Sequence, residues 1–164
     1  MIVKVSATTL EGVKLTQHSI FEDFRGKFRE LFSKLDIGVE FVEDDISISS
    51  KGVLRGIHSD SEAWKLVSCL YGAVYDVVVN CDPDSKDFGK WEAFTLSETN
   101  GLQLLIPPRY GNAHLVLSDK AVFHYKQSEY YNLSRQTTYR WDDPRFNIFW
   151  PVKNFLLSER DDIV

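Results

Sequence analysis

The chain has 164 residues, 43% hydrophobic and 26% charged, with only 9 Gly and 5 Pro. That is enough apolar chain for one globular domain over residues 1–164, and it excludes low-complexity or wholly disordered polypeptide. Nineteen Lys and Arg against 24 Asp and Glu give a net charge of −5 with no basic run, so no nucleic-acid partner is expected. No segment approaches the roughly 20 apolar residues of a membrane span, and the start, MIVKVSATTLEG, lacks the apolar core and cleavage site of a signal peptide. A cytoplasmic protein is expected.

In chain order, helix signals are few. Lys27 to Ile37 has apolar residues at 28, 31, 32 and 35 and a possible stop at Gly38. It reads as one or two helical turns, or as a strand leading into a short helix. The run GVLRGIH ends at His58 and reads as a strand. Ala73–Asn80 (AVYDVVVN) is β-branched and nearly continuous, as in a strand buried on both faces. Turn residues follow at 81–85 and 98–101, then the apolar strand Leu102–Ile106, halted by Pro107 and Pro108. Shorter β-rich runs occupy His114–Leu117, Ala121–Lys126 and Thr137–Trp141. Closely spaced short strands without long helical patterns predict an all-β sandwich or jelly roll with short helical turns. The tail from Pro151 reads as either a frayed end or a docked segment.

Only 4 His and 2 Cys are available for His- or thiol-based chemistry. No His pair has the close spacing of a metal site, and Cys69 and Cys81 do not form a CxxC pair, so no metal is expected; both are read as free thiols. The phosphate-binding patterns GxxxxGK[ST] and GxGxxG are absent, as is GxSxG. Of the histidines, His58 stands out. The strand it ends also carries Arg55, and Lys65 follows shortly after, so one short hairpin offers a phosphate-binding cation, a base and an ammonium. Read singly, Tyr125 is a packing residue of a strand, Asp161 a solvated acid, Arg25 a turn residue before Gly26, and Lys65 a side chain snorkelling from a strand end.

Five blocks in order change that reading. They are Phe21-Glu-Asp-Phe-Arg-Gly-Lys-Phe-Arg-Glu30; Ser47-Ile-Ser with Val53-Leu-Arg-Gly-Ile-His58; Lys65-Leu-Val with Gly72-Ala-Val-Tyr-Asp-Val and Phe88-Gly-Lys-Trp91; Ile106-Pro, Leu117-Ser-Asp, Tyr125-Lys and Tyr130-Tyr131; and Trp141-Asp-Asp-Pro, Ile148-Phe-Trp-Pro and Leu157-Ser-Glu-Arg-Asp161. Together they resemble the nucleotide-sugar 3,5-epimerases typified by dTDP-4-dehydrorhamnose 3,5-epimerase, over roughly residues 20 to 162. The resemblance implies a cupin-like jelly roll that forms homodimers and needs neither metal nor organic cofactor. It implies a nucleotide-sugar substrate with a 4-keto group and a place in surface polysaccharide biosynthesis.

It also implies roles. A hydrogen beside a C4 ketone is acidic because the carbanion delocalises into an enolate. Inversion needs a base on one face of the ring and a proton donor on the other. His58 matches the base, and Asp161 its carboxylate partner, which places the tail over the site. Tyr125 matches the opposite-face acid and Lys65 the cation beside the C4 oxygen. Arg25 and Arg55 match diphosphate contacts, Phe28 and Glu30 match nucleotide contacts from the neighbouring subunit, and Tyr130 matches a pocket aromatic.

Three departures accompany the resemblance. The family's histidine before Gly-Phe falls on Asn112, and His114 takes the aromatic position. Asn112 can hydrogen-bond but cannot exchange protons, which leaves open a single-centre epimerase; the separate alternative is a catalytically silent sugar-nucleotide-binding jelly roll, against which His58, Tyr125, Lys65 and Asp161 together argue. The His58–Lys65 loop is short and carries Trp64. The family's Q-x-N reads Glu43-Asp44-Asp45, and a carboxylate at Glu43 or Asp45 suits the paired N–H donors of guanine. With the short loop, this also resembles a branch acting on GDP-4-keto-heptoses.

Overall fold

The computed structural model describes residues 2–162, without the side chains of the first two of these. In chain order the first strands are β1 (Ile2–Ala7), β2 (Lys14–His18), β3 (Phe21–Asp23) and β4 (Gly26–Phe28), followed by the single helical turn α1 (Lys34–Ile37). Then come β5 (Glu43–Ser50), β6 (Leu54–Asp60), β7 (Lys65–Tyr71), β8 (Ala73–Asn80) and β9 (Trp91–Ser97). The series closes with β10 (Leu102–Ile106), β11 (Tyr110–Val116), β12 (Lys120–Gln127), β13 (Gln136–Thr138) and the turn α2 (Glu159–Asp162). Six strands form one sheet in the order β1-β2-β10-β7-β12-β5, and five form a second in the order β13-β6-β11-β8-β9. The strand pairings are antiparallel. This is the jelly-roll architecture that the strand pattern predicts, and the cupin-like one that the family resemblance implies. Among the described residues no helix is long and apolar enough to cross a membrane.

Two apolar clusters explain why β8 is apolar along nearly its whole length. Val74 and Val78 point between the sheets, against Val67, Leu104, Val116 and Phe123. Val77 and Val79 point the other way, into a second cluster with Leu54, Ile57 and Leu115 that Phe146, Trp150, Phe155 and Leu157 cover. Successive residues of a strand face opposite sides, so a strand covered on both needs apolar residues at both parities. Burying each such valine contributes roughly 1.5–3 kcal/mol. The tail is therefore docked: it supplies the second cluster's cover, and Leu156 bridges to Val53.

Lys27 to Ile37 follows the second of its two sequence readings, a strand leading into a short helix: it holds the end of β4 and the one turn of α1, closed by Gly38 at φ 76°. Its apolar residues share no buried face, since Phe28 is 69% and Leu35 97% exposed, and one turn without a buried stripe has nothing to propagate a helix. The strand expected at His114–Leu117 begins earlier, at Tyr110. The one expected at Thr137–Trp141 is only Gln136–Thr138, pairing with β6. Cys69 and Cys81 are both buried and free.

Gly72 makes the tight connection between β7 and β8. Its φ is +74°, and a Cβ there would lie 2.2 Å from the Lys120 carbonyl oxygen and 2.3 Å from Ser118 Oγ. Both the left-handed backbone and the space demand glycine. Gly72→Ala is expected to lower the unfolding free energy by about 2–4 kcal/mol, measured by urea denaturation.

Candidate active site

The two sheets enclose a cavity of about 300 Å³. Strand alternation builds it. Along β12, Ala121 and Phe123 belong to the inter-sheet core, while Tyr125 and Gln127, on the same face, line the cavity. Along β11, Val116 is core and His114 and Asn112 are lining; along β7, Cys69 and Val67 give way to Lys65. Each inward face thus changes from apolar to polar along its length, and the polar ends meet.

Simple alternation would place Arg55 and His58 on opposite faces of β6, because they are three residues apart. A register shift against β11 corrects this: Arg55 pairs with His114 and His58 with Asn112, so three residues on β6 span two on β11. Such a bulge re-aims side chains. Gly56 sits within it at φ +115°, with the Asn112 carbonyl oxygen 2.6 Å from where a Cβ would be.

His58 Nε2 lies 2.6 Å from Asp161 Oδ1. Asp161 is only 2% exposed; its second oxygen accepts from the Gly56 N–H at 3.4 Å and its own N–H donates to Ser158 Oγ at 3.3 Å. Burial opposes ionisation of Asp161, but the hydrogen bond and charge of His58, with the Gly56 N–H, outweigh it and hold the pKa below the ordinary carboxylate value. An ionised Asp161 only accepts, so Nε2 carries the hydrogen in both forms of the ring, and in the neutral form the lone pair is on Nδ1.

Lys65 Nζ donates to the His58 carbonyl at 3.4 Å. The side chain keeps some accessible surface along the cavity wall, yet the protein crowded around it lowers its pKa to about 8; Asp60 opposes this and Arg160 reinforces it. Burial raises the Tyr125 phenol, and the carboxylates of Asp45 and Glu43 add to the effect. A proton donor is kept protonated this way. His114 stacks on Phe123 with centroids 3.9 Å apart. Burial lowers its pKa to about 3, with Arg55 and His58 adding to the shift, so it is neutral near pH 7. Arg55 Nε donates to Ser49 Oγ at 3.0 Å.

The structure therefore gathers His58, Lys65, Tyr125, Asp161, Arg55, Asn112 and His114 around one cavity. It does not bring Arg25, Phe28 or Glu30 there. Arg25 and Phe28 lie on the β3–β4 hairpin, whose two strands pair only with each other, and Arg25 is held by Asp23 at 2.6 Å. Glu30, which is exposed, follows that hairpin. Glu43 accepts from Gln127 Nε2 at 2.7 Å and from the Tyr131 N–H at 3.0 Å, one bond to each oxygen. Asp45 lies beside Glu43; burial first, then Glu43, raises its pKa. Tyr130 is 70% exposed, and Tyr131 lines the cavity in its place. Sequence reading missed Arg160, Gln127 and Gln136 in the lining. Gln127 carried a signal, being two residues beyond Tyr125 on the same strand face.

A family model described as dTDP-4-dehydrorhamnose 3,5-epimerase matches residues 7–164. The chain belongs to this family. It is accordingly an isomerase-type enzyme. The dTDP-4-dehydrorhamnose 3,5-epimerase of Shigella flexneri is 40% identical over 168 residues, covering 97% of this chain and 93% of its own. The crystal structure of a dTDP-6-deoxy-D-glucose-3,5-epimerase from Legionella pneumophila, in complex with dTDP-4-keto-L-rhamnose, superposes with a TM-score of 0.90 at 36% identity, covering 96% of this chain and 89% of the other. A 3'-monoepimerase from Streptomyces bikiniensis, in complex with dTDP-quinovose, superposes at 0.88 with 30% identity, covering 94% and 83%. The chain is thus similar to a structure named for one centre as well as to relatives named for two.

Proposed function

We propose that this epimerase acts on a dTDP-4-keto-6-deoxyhexose, inverting C3 and C5 through an enolate. One observation carries the reading: His58, paired with Asp161, stands on the five-stranded sheet, and Tyr125 stands on the six-stranded sheet across the same cavity. A flat sugar ring between the walls meets a base on one face and an acid on the other, which is what inversion requires. His58 Nδ1 takes the proton beside the ketone. Lys65, as the ammonium, holds the C4 oxygen while it gains charge. Tyr125 returns a proton to the opposite face of the carbon. Arg55 and Arg160 supply positive charge for the diphosphate.

Incubating the enzyme with the dTDP-4-keto sugar in D2O and following deuterium by NMR tests this. Exchange at both C3 and C5 is expected. Exchange at a single carbon would reassign the protein as a monoepimerase, and none would leave a binding module. Tyr125→Phe is expected to uncouple the steps: deuterium still enters from the His58 side, but the configuration is retained. Inversion at the normal rate in that variant would remove Tyr125 from the acid role.

We take dTDP over GDP because the relatives are named for dTDP sugars and because, of the two suggested guanine ligands, Glu43 already accepts from Gln127 and Tyr131 and Asp45 from Gln127. Calorimetry with the two nucleotides separates them, and tighter GDP binding would reverse the choice. We further propose a homodimer in the cytoplasm. The β3–β4 hairpin exposes Phe21, Phe24 and Phe28, with Phe24 98% exposed, and covering these on a second subunit would carry Arg25, Phe28 and Glu30 toward the partner's nucleotide.

A further inference from the structure

Asp76 is an anomaly in the centre of β8. It is fully buried (0% exposed) on the inward face shared with Val74 and Val78. One oxygen, Oδ1, accepts from Asn112 Nδ2 at 2.8 Å, and the other, Oδ2, has no hydrogen-bond partner. Burying a carboxyl with an unpartnered oxygen costs stability. Its register partner on β11 is His114, whose Nε2 likewise has no hydrogen-bond partner. The single described hydrogen-bond partner of the Asp76 carboxyl is Asn112, directly opposite His58 in the β6–β11 register and on the cavity wall.

The pair fixes which way the Asn112 amide points. Nδ2 donates to Asp76 Oδ1 and also to the Val77 backbone carbonyl at 3.1 Å. A backbone carbonyl can only accept, so the reverse orientation would set oxygen against oxygen there. Both Nδ2 hydrogens are used. Oδ1, on which no described hydrogen bond ends, is left as a bare acceptor beside His58. Burial pushes the Asp76 carboxyl well above the ordinary carboxylate range, with the Asn112 hydrogen bond acting the other way.

We infer that Asn112 Oδ1 is a hydroxyl-recognition point, held in place by Asp76, that accepts a hydrogen bond from the C2 or C3 hydroxyl of the sugar. Resting on the epimerase reading, this assigns the substrate class more narrowly. An acceptor oxygen cannot stabilise the enolate oxygen, which falls to Lys65. It can tell a hydroxylated ring from a deoxy one, because an acceptor that a bound sugar covers without offering a hydroxyl stays unpaired. Asn112 is thus a specificity-determining residue and Asp76 its positioning residue.

The test uses dTDP-quinovose and its 2-deoxy and 3-deoxy counterparts, with binding followed by calorimetry, so that no turnover is needed. The wild type is expected to bind the parent about 10- to 100-fold more tightly than one of the two deoxy sugars. Asn112→Leu should reduce that preference to within about twofold. Asp76→Leu, which removes the anchor, should lower it, and Asp76→Asn, which keeps an acceptor for Nδ2, should restore it. A merely structural Asp76 would change stability and leave the preference unmoved. Equal wild-type affinity for all three sugars, or an undiminished preference in Asn112→Leu, would overturn the inference. Deuterium exchange by the wild type on the keto sugar is measured alongside. Exchange without hydroxyl preference sinks the inference alone, whereas preference without exchange upholds it and sinks the epimerase reading.

Discussion

His58→Asn is expected to abolish deuterium exchange at the sugar carbons while leaving dTDP affinity within a few-fold of wild type. Asparagine fits the space and can donate to Asp161, but it has no lone pair able to accept a carbon-bound proton at neutral pH. Loss of a general base costs about 10²- to 10⁴-fold in rate. Asp161→Asn is the sharper variant, because it keeps the shape and reverses the polarity. The new amide would donate to His58 Nε2, place the ring hydrogen on Nδ1 and point the base's lone pair away from the substrate. A loss of about 10³- to 10⁴-fold in kcat is expected, with KM little changed. Normal exchange in either variant would remove this dyad from the chemistry. The dyad also has a pH signature. The folded-state pKa of Asp161 is lowered, so its contribution to stability is fully present above the unfolded value of about 3.9 and is lost as pH falls through the lower folded one.

Lys65→Met is expected to lower kcat by about 10²- to 10³-fold, the usual effect of removing one donor from a developing oxyanion. Only the ammonium can serve there. With the Lys65 pKa at about 8, activity should decline as pH rises through that value, and Lys65→Arg, which stays charged, should shift the decline upward. Stability moves in the opposite sense. Because the folded pKa lies below the unfolded value of about 10.4, the unfolded chain binds more protons between those limits, and stability rises with pH across that window. The methionine variant should therefore lose activity without losing stability at neutral pH. An unchanged pH–rate profile in Lys65→Arg would assign the decline to another group.

How much of this could be read from the chain depended on whether a signal was local. The continuous apolar run of Ala73–Asn80 announced a strand covered on both sides, since its two parities face two separate clusters. Its single carboxylate, Asp76, sits at the parity of Val74 and Val78, and a charge at a core parity was the available clue to the Asn112 pair. The bulge that turns Arg55 and His58 to one side was not legible, because it belongs to the register between two strands and not to either sequence. The link from His58 to Asp161 spans 103 residues, and only the family resemblance anticipated it. Arg25, Phe28 and Glu30 came from the same source, and in a single subunit they lie on and just after the free-standing hairpin.

The placement of His58 and Tyr125 on facing sheets makes the thickness of the sandwich a ruler for the reaction. Two sheets pack about 10 Å apart, a distance set by the side chains between them. Here that filling is Val67, Val74, Val78, Leu104, Val116 and Phe123, most of which never touch the cavity. A larger residue at Val78 or Leu104 would prop the walls apart, and a smaller one would let them settle. Either would detune proton delivery from a distance while every residue of the site stayed in place.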